Sequence, residues 1–434
     1  MRLLACTLPL PSIRFAQDKL YLSRKGREDL RLDCFVVRLR RTPRNDSRRD
    51  CYNYSMTTTF YIPTKIISGA GGFRQLGKEA AGIGKKALLV TGKGSMRRSG
   101  LLDLAVADLQ KHGVAVTVFD KVEPNPRSST VDKGAKIVRE KKLNVVIALG
   151  GGSAMDAAKG IVIGAIGGKP VWHYIETREK VHGDSPKLIA VPTVAASGSE
   201  SNCGAVITKW ETHDKCVLRD HCAYPAVSII DPELTLTLPA KPTAQGGVDI
   251  FCHLVEPYIT AGNPQPLTDG IVETSMKLVV DYLPRVLAKL DDLEARSQLS
   301  WASTIACSAF TELGGGDGAM TMHGIEHPLS GMYDMAHGDG LAALLPAWLR
   351  SLAYIRQNRL DKLACNVFGE KDGIVAVEKW LKQVGMNLRL RDLGVQKEKL
   401  NDLAINALKT APWLAAHPKK LDKAAIAAIY REAW

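Results

Sequence analysis

Val145–Lys159 reads VVIALGGGSAMDAAK: an apolar run that stops on three glycines and a serine and passes directly into a helical pattern. A short continuous run of β-branched and aliphatic residues reads as a strand buried on both faces. Gly150, Gly151 and Gly152 are more glycine than a simple turn requires. Without β-carbons the backbone can approach a pyrophosphate closely, and the amides and positive dipole end of the next helix then face the anion. Ser153 is expected to cap that helix and to donate to a phosphate oxygen. The spacing is not G-x-G-x-x-G, so the ordinary dinucleotide fingerprint is excluded. A tight strand–helix turn with no ligand stays open on these residues alone.

Working outward, the same alternation recurs. Lys86–Thr91, Val114–Phe119, Leu188–Pro192 and Val227–Ile230 read as strands, and Leu101–His112 and Thr130–Lys141 as helices. Strands that each lead into a helix predict a parallel sheet covered on both faces. The segment Thr57–Ser68 reads as a further strand. After about Leu238, where Leu-Pro-Ala-Lys-Pro marks a turn, strand-like runs fade and long helical patterns begin: Gly246–Tyr258, Leu267–Leu290, Ala295–Phe310 and several from Ala342 onward. The expected organisation is a basic extension over 1–55, an α/β domain over 56–238 and a helical domain over 239–434.

The chain's formal net charge is +13, but residues 1–55 hold 13 Lys/Arg against 6 Asp/Glu and so supply +7 of it. The remainder is only mildly basic, with no zinc-finger spacing, no RNA-binding aromatic signature and no Lys/Arg stripe, which argues against nucleic acid as a partner. For 1–55 three readings stand: an upstream start with Met56 as the true beginning, which is favoured; a targeting peptide, opposed by Asp18, Glu28, Asp29, Asp33 and Asp46; and a disordered basic arm. No apolar run reaches the roughly 18 residues needed to span a bilayer. The 9 cysteines include no C-x-x-C pair. Free thiols in a reducing cytosol are the simplest reading, so the expected location is cytoplasmic.

Two further small-residue turns follow strands. NAD enzymes often place an acid after an early strand to bind ribose hydroxyls. Here that place is Gly92-Lys93-Gly94-Ser95, with no carboxylate and with donors that suit a 2′-phosphate; an ordinary turn is as good a reading. Pro192–Glu200 (PTVAASGSE) offers Thr193, Ser197 and Ser199 hydroxyls to a cofactor, or simply packs closely. Two windows carry metal-type residues. Asp249 and His253 stand four apart in a helical pattern, and so do His323 and His327, with His337 after a loop. Residues i and i+4 share a helix face, so one Asp and three His can meet on Fe²⁺ or Zn²⁺ with a position left open. One of the four histidines is surplus to such a set and is suited to carry a proton. A lone helical histidine is usually a satisfied core or surface residue; it is the combination that is uncommon.

The ordered set EPNP (Glu123–Pro126), GGGSAMDAAK (150–159), PTVAASGSES (192–201), Asp249-x-x-x-His253 and His323-x-x-x-His327 with His337 resembles the iron-containing, or group III, alcohol dehydrogenases, from about Met56 to the C-terminus. SGSESNCGAVIT (197–208) and the turn at 92–95 look closest to the NADPH-dependent butanol dehydrogenase and broad aldehyde reductase branch. The resemblance implies an N-terminal dinucleotide-binding domain, an all-α metal-binding domain and a dehydroquinate synthase-like fold, with the active site in the cleft between the domains. It implies that Asp249, His253, His323 and His337 hold Fe²⁺ or Zn²⁺ and that His327 relays protons or faces substrate. It implies Gly151, Gly152 and Ser153 at the pyrophosphate, with Asp156, Asn125, Thr193, Ser197 and Lys215 around the rest of the cofactor. With Gly92 in place of an acid and Ser95 as a 2′-phosphate donor, NADP(H) is expected over NAD. The implied reaction is hydride transfer between that cofactor and a short-chain aldehyde or primary alcohol, in a homodimer. Rivals are a glycerol dehydrogenase or dehydroquinate synthase-like lyase, a non-catalytic scaffold, and a nucleic-acid binder acting through the basic arm.

Overall fold

The computed structural model describes residues 59–434 apart from 184–185, 264 and 314–316. The readings made for residues 1–55 lie outside these residues. Eight strands are described: β1 (Lys65–Ser68), β2 (Lys86–Gly92), β3 (Ala115–Val122), β4 (Val145–Gly150), β5 (Lys187–Pro192), β6 (Gly204–Lys209), β7 (Asp214–Arg219) and β8 (Pro225–Ile230). Of the strand expected over Thr57–Ser68, residues 57–58 lie outside the described residues, and the rest forms a strand only over β1. Pro63, which has no amide to donate, lies just ahead of it.

Six strands form one sheet in the order β1-β8-β5-β4-β2-β3, every pair parallel. Helices Leu76–Ile83, Leu101–Lys111, Ser128–Lys141 and Gly152–Gly167 carry the chain back after β1 to β4. The apolar runs are unbroken because successive side chains serve different cores. Leu88, Val90, Val146 and Ala148 pack on one face, while Ala87, Leu89, Val145, Ile147 and Leu149 pack on the other. The chain reverses direction across the sheet between β2 and β4. Open α/β sheets bind ligands beyond the strand ends at such a switch point.

β6 and β7 form a separate antiparallel hairpin that the sequence reading did not contain. Its turn has neither Gly nor Pro; His213 takes the left-handed position instead, at φ 58°. From Ala240 onward the structure is helical, with Ala240–Thr260, Pro266–Ala288, Leu293–Ala306, Thr321–Tyr333 and His337–Lys362 packed around one apolar core. The Ala240–Thr260 helix is buried on all sides from Gly246 to Glu256, as a helix at the centre of a bundle must be. Its polar residues Asp249, His253 and Glu256 therefore need partners inside the protein. No helix among the described residues is long and apolar enough to cross a membrane.

The hairpin seats against the Thr321–Tyr333 helix at Gly331, where an added Cβ would meet the His213 carbonyl oxygen at 2.3 Å. Gly331→Ala is expected to destabilise the protein by about 1–3 kcal/mol, the usual range for overpacking. Urea unfolding checks this, and a midpoint equal to that of the parent chain would count against the close seat.

Candidate active site

Asp249 and His253 lie one turn apart on the Ala240–Thr260 helix, His323 opens the Thr321–Tyr333 helix, and His337 is the first residue of the helix after it. The side chains converge. Ligand atoms of Asp249, His253 and His323 all lie within 4.8 Å of one another. Asp249 Oδ1 is 3.6 Å from His323 Nε2 and 3.8 Å from His337 Nε2. The His253 and His323 rings are 4.2 Å apart, and the His323 and His337 rings 5.1 Å. His327 stands further out, 6.1 Å from the His337 ring and 5.9 Å from Trp413.

The far side of each imidazole is already fixed. His253 Nδ1 donates to the Asp249 carbonyl oxygen at 2.9 Å. His323 Nδ1 bonds the Glu256 carboxylate, and His337 Nδ1 bonds the Glu326 carboxylate. Glu256 and Glu326 are wholly buried. His323 and His337 therefore turn Nε2 toward Asp249 with their tautomers set, the arrangement by which outer partners orient metal ligands, while His253 meets Asp249 Oδ1 through Nδ1 itself, at 3.1 Å. Sequence reasoning missed both glutamates, although each carried a signal: Glu256 lies three residues after His253, and Glu326 three after His323.

Charge decides what this cluster accepts. Burial works to raise the Asp249 carboxyl, but His253 and His323 outweigh it and hold it well below the usual carboxylate range. Burial likewise opposes a charged His253, yet Asp249 pulls its pKa well above the ordinary value. Glu326, despite burial, is held at about 2 by His337 and Lys215. Among the described residues only one lysine or arginine is paired with Asp249, Glu256 or Glu326, namely Lys215 at 3.7 Å from Glu326. Three buried carboxylates and one ammonium make a site whose charge favours a cation. Asp249 Oδ1 and His323 Nε2 are buried without a hydrogen-bond partner. Unpartnered buried polar atoms of this kind call for a ligand, and a carboxylate oxygen with three imidazole nitrogens suits Fe²⁺ or Zn²⁺.

These residues line a cleft of about 800 Å³ that Gly151, Gly152, Ser153 and Asn125 also line. The Gly152–Gly167 helix begins there, with Gly151 as its N-cap and no side-chain cap. The expectation that Ser153 caps it is corrected: Ser153 lies inside the first turn, and the N-cap position is a glycine. The first-turn amides are thus left for a ligand. A Cβ on Gly152 would come within 2.7 Å of Ser197 Oγ, itself buried and unpartnered, so a side chain there would displace Ser197.

Ser197, Asp156 and Lys215 also line the cleft. Asp156 accepts from Ser199 Oγ at 2.7 Å and from the Val206 amide at 2.9 Å, so both its oxygens are engaged by protein. Beside it Lys159, unremarked in the sequence reading, is fully buried and bonds Ser199, Asn202 and the Gly204 carbonyl oxygen. Burial brings its pKa down to about 8, against the pull of Asp156. Thr193, Gly92 and Ser95 are not among the lining residues. Thr193 is buried behind the loop, and Gly92 ends β2 with Lys93 paired to Glu123 at 3.4 Å.

The sheet side and helical side meet along a polar seam. Lys215 donates to Asn125 Oδ1 at 3.0 Å, and Asn125 Nδ2 donates to Asp334 Oδ1 at 3.0 Å. His213 Nδ1 lies 3.0 Å from the Gly331 carbonyl oxygen. Gly338 and Gly340 permit the close fit around His337. A Cβ on Gly338 would meet the Gln245 carbonyl oxygen at 2.4 Å, and one on Gly340 would meet Glu326 Oε1 at 2.7 Å.

Residues 63–232 match the family model described as iron-containing alcohol dehydrogenase, and residues 243–434 match its C-terminal counterpart. The chain is 36% identical over 361 residues to a probable NADH-dependent butanol dehydrogenase of Bacillus subtilis, covering 81% of this chain and 93% of that protein. It is 32% identical to NADH-dependent butanol dehydrogenase A of Clostridium acetobutylicum, covering 86% and 99%. The crystal structure of an NADH-dependent butanol dehydrogenase A from Thermotoga maritima superposes with a TM-score of 0.81 at 32% identity, over 88% of this chain and 99% of that one.

Glu256→Gln keeps the shape and removes the charge behind His323. Its affinity for Zn²⁺ is expected to fall on the order of 10- to 100-fold, the usual effect of losing an outer partner. Competition with a chromogenic chelator measures this, and parent-like affinity would show that Glu256 does not support the cluster.

Proposed function

This chain belongs to the iron-containing alcohol dehydrogenase family, and from that premise we propose that it is a metal-dependent enzyme that moves hydride between NADPH and a short-chain aldehyde or primary alcohol. The observation that carries the reading is a single cleft lined both by an uncapped glycine-loop helix start and by Asp249, His253, His323 and His337. The division into a dinucleotide-binding part over 56–238 and a metal-binding part over 239–434 belongs to the same proposal, since the glycine loop falls in the first and the four ligands in the second. A divalent ion held by those four residues would supply Lewis-acid polarisation of a carbonyl, and a reduced nicotinamide would supply the hydride.

The chain's own residues bind, orient and move a proton. The amides of Gly152 and Ser153, at the positive end of their helix, hold the pyrophosphate. Lys215 adds a positive charge on the cofactor side while its other contacts, Asn125 and Glu326, keep it in place. Trp413 and Met320 line the cleft beside His327 and limit the room for water there. Burial first, then Lys215, holds His327 well below the ordinary imidazole range, so it is neutral. Its Nδ1 is buried without a partner. A neutral imidazole can take a proton at one nitrogen as it releases one from the other, which suits a relay to a substrate oxygen.

The preference for NADPH rests on Gly92. It ends β2 beside β4 at the sheet's switch point, where an NAD enzyme often has a carboxylate. The three butanol dehydrogenases compared above carry NADH in their names, so this preference is the proposal's own.

Turnover of an aldehyde panel with NADPH and with NADH, alongside elemental analysis, tests the function; no turnover with either cofactor in the ion-loaded protein would overturn it. Gly92→Asp has room, since its Cβ would sit 3.8 Å from the Val122 carbonyl oxygen. It should shift the ratio of kcat/KM values towards NADH, and an unchanged ratio would remove Gly92 from the cofactor assignment. His327→Ala should lower kcat by roughly 10²–10⁴-fold, the range for a lost proton-transfer group, with the ion retained. Undiminished kcat, or loss of the ion, would place His327 outside the relay.

A further inference from the structure

Of the four proposed ligands, His337 is the most open to solvent, its side chain 25% exposed against 7% for Asp249 and His323. It begins its helix directly after a short loop that starts at Asp334. Asp334 ends the preceding helix in the left-handed region, at φ 51°. Its carboxylate reaches away from the helical core to the sheet side. Oδ1 accepts from Asn125 Nδ2 at 3.0 Å, and Oδ2 accepts from Arg127 Nη2 at 2.7 Å. Asn125 also donates to the Met335 carbonyl oxygen at 3.2 Å.

The sheet-side partners are themselves fixed. Arg127 stacks on Trp210 with its guanidinium carbon 3.7 Å from the ring centre, and it donates to the Asn125 carbonyl oxygen at 2.8 Å. Asn125 sits in the left-handed region too, at φ 50°. Of the five non-glycine residues with positive φ among those described, three, Asn125, His213 and Asp334, lie on this seam. Such conformations persist only where surrounding contacts determine them, and they gather at functional sites. Asp334 lines no part of the cleft, whereas Asn125 on one side of it and Met335, Ala336 and His337 on the other all do.

We infer that Asp334 is a positioning residue, which holds the His337-bearing loop against the Asn125–Arg127 turn and makes ion binding and dinucleotide binding depend on one another. The inference rests on the metal and cofactor reading proposed above. Two connections run from the cofactor side to His337. One passes from Lys215 through Glu326 to His337 Nδ1. The other passes from Asn125 and Arg127 through Asp334 to the backbone that carries His337. Whatever orders the 125–127 turn therefore also orders the fourth ligand, and coupling between two binding sites is reciprocal.

The test uses the full chain and its Asp334→Ala and Asp334→Asn variants. Zn²⁺ affinity is measured by chelator competition with and without NADPH, and NADPH affinity by fluorescence with and without Zn²⁺. In the parent chain each ligand should tighten the other severalfold, by the same factor. Asp334→Ala should lose about tenfold in Zn²⁺ affinity, the low end for an outer-partner loss, and its coupling factor should fall to about one, with no coupling free energy left between the sites. Thermal melting of the ion-free protein reads separately the stability lost with the bonds to Asn125 and Arg127. Asp334→Asn keeps an acceptor for Asn125 but loses the charge facing Arg127, so it should fall between the two; it carries the test if the alanine variant fails to fold. Parent-like affinity and coupling in both variants would overturn the inference and leave the metal reading intact. A parent chain that binds no Zn²⁺ would overturn the metal reading itself.

Discussion

Everything in the helical half is arranged around one electrostatic demand: a buried carboxylate, Asp249, with an oxygen that no protein donor satisfies. Two more carboxylates, Glu256 and Glu326, are buried just behind the imidazoles that face it. Leaving such charge uncompensated inside a protein is expensive. Among the described residues one ammonium, Lys215, pairs with these carboxylates, and otherwise only imidazoles do. Asp249 pulls the pKa of His253 well above the ordinary value against the effect of burial. A divalent ion satisfies the same demand more completely, because it meets the carboxylate and the inward Nε2 atoms together. The surrounding packing follows from this. Gly338 and Gly340 let backbone and carboxylate oxygens approach the His337 turn closely.

The sheet half supplies a complementary demand for negative charge. The helix after β4 opens without a side-chain cap into the same cleft. An anion suits that helix start and a cation suits the carboxylate cluster, and a polar seam of Asn125, Arg127, Lys215 and Asp334 joins the two positions. An NAD(P)H-linked alcohol or aldehyde oxidoreductase needs hydride donor and carbonyl held side by side.

Much of this was legible in the residues. The apolar run and glycines of 145–152 set the strand, the turn and the helix start, because a doubly covered parallel strand has no polar face to confuse the pattern. Asp249/His253 and His323/His327 were legible as helix-face pairs for the same geometric reason. What stayed hidden depends on contacts distant in sequence. The β6–β7 hairpin has no glycine or proline at its turn, since His213 takes the left-handed role. Glu256 and Glu326 read as ordinary charged residues until the fold buries them against His323 and His337. Asp156 lines the cleft as a residue near the cofactor would, and its bonds to Ser199 and Val206 come from elements that no local pattern connects to it. No local pattern marks Asp334, whose partners stand more than two hundred positions earlier.

Crystals of the purified chain, with diffraction recorded on both sides of the iron and zinc absorption edges, address the central claim most directly. The account predicts one strong anomalous peak at about 2.0–2.2 Å, ordinary metal–ligand lengths, from an Asp249 oxygen and from Nε2 of His253, His323 and His337, with His327 outside bonding distance. A cluster that stays free of any peak in protein soaked with either ion, or a peak bonded to His327 in place of one of the four, would contradict it.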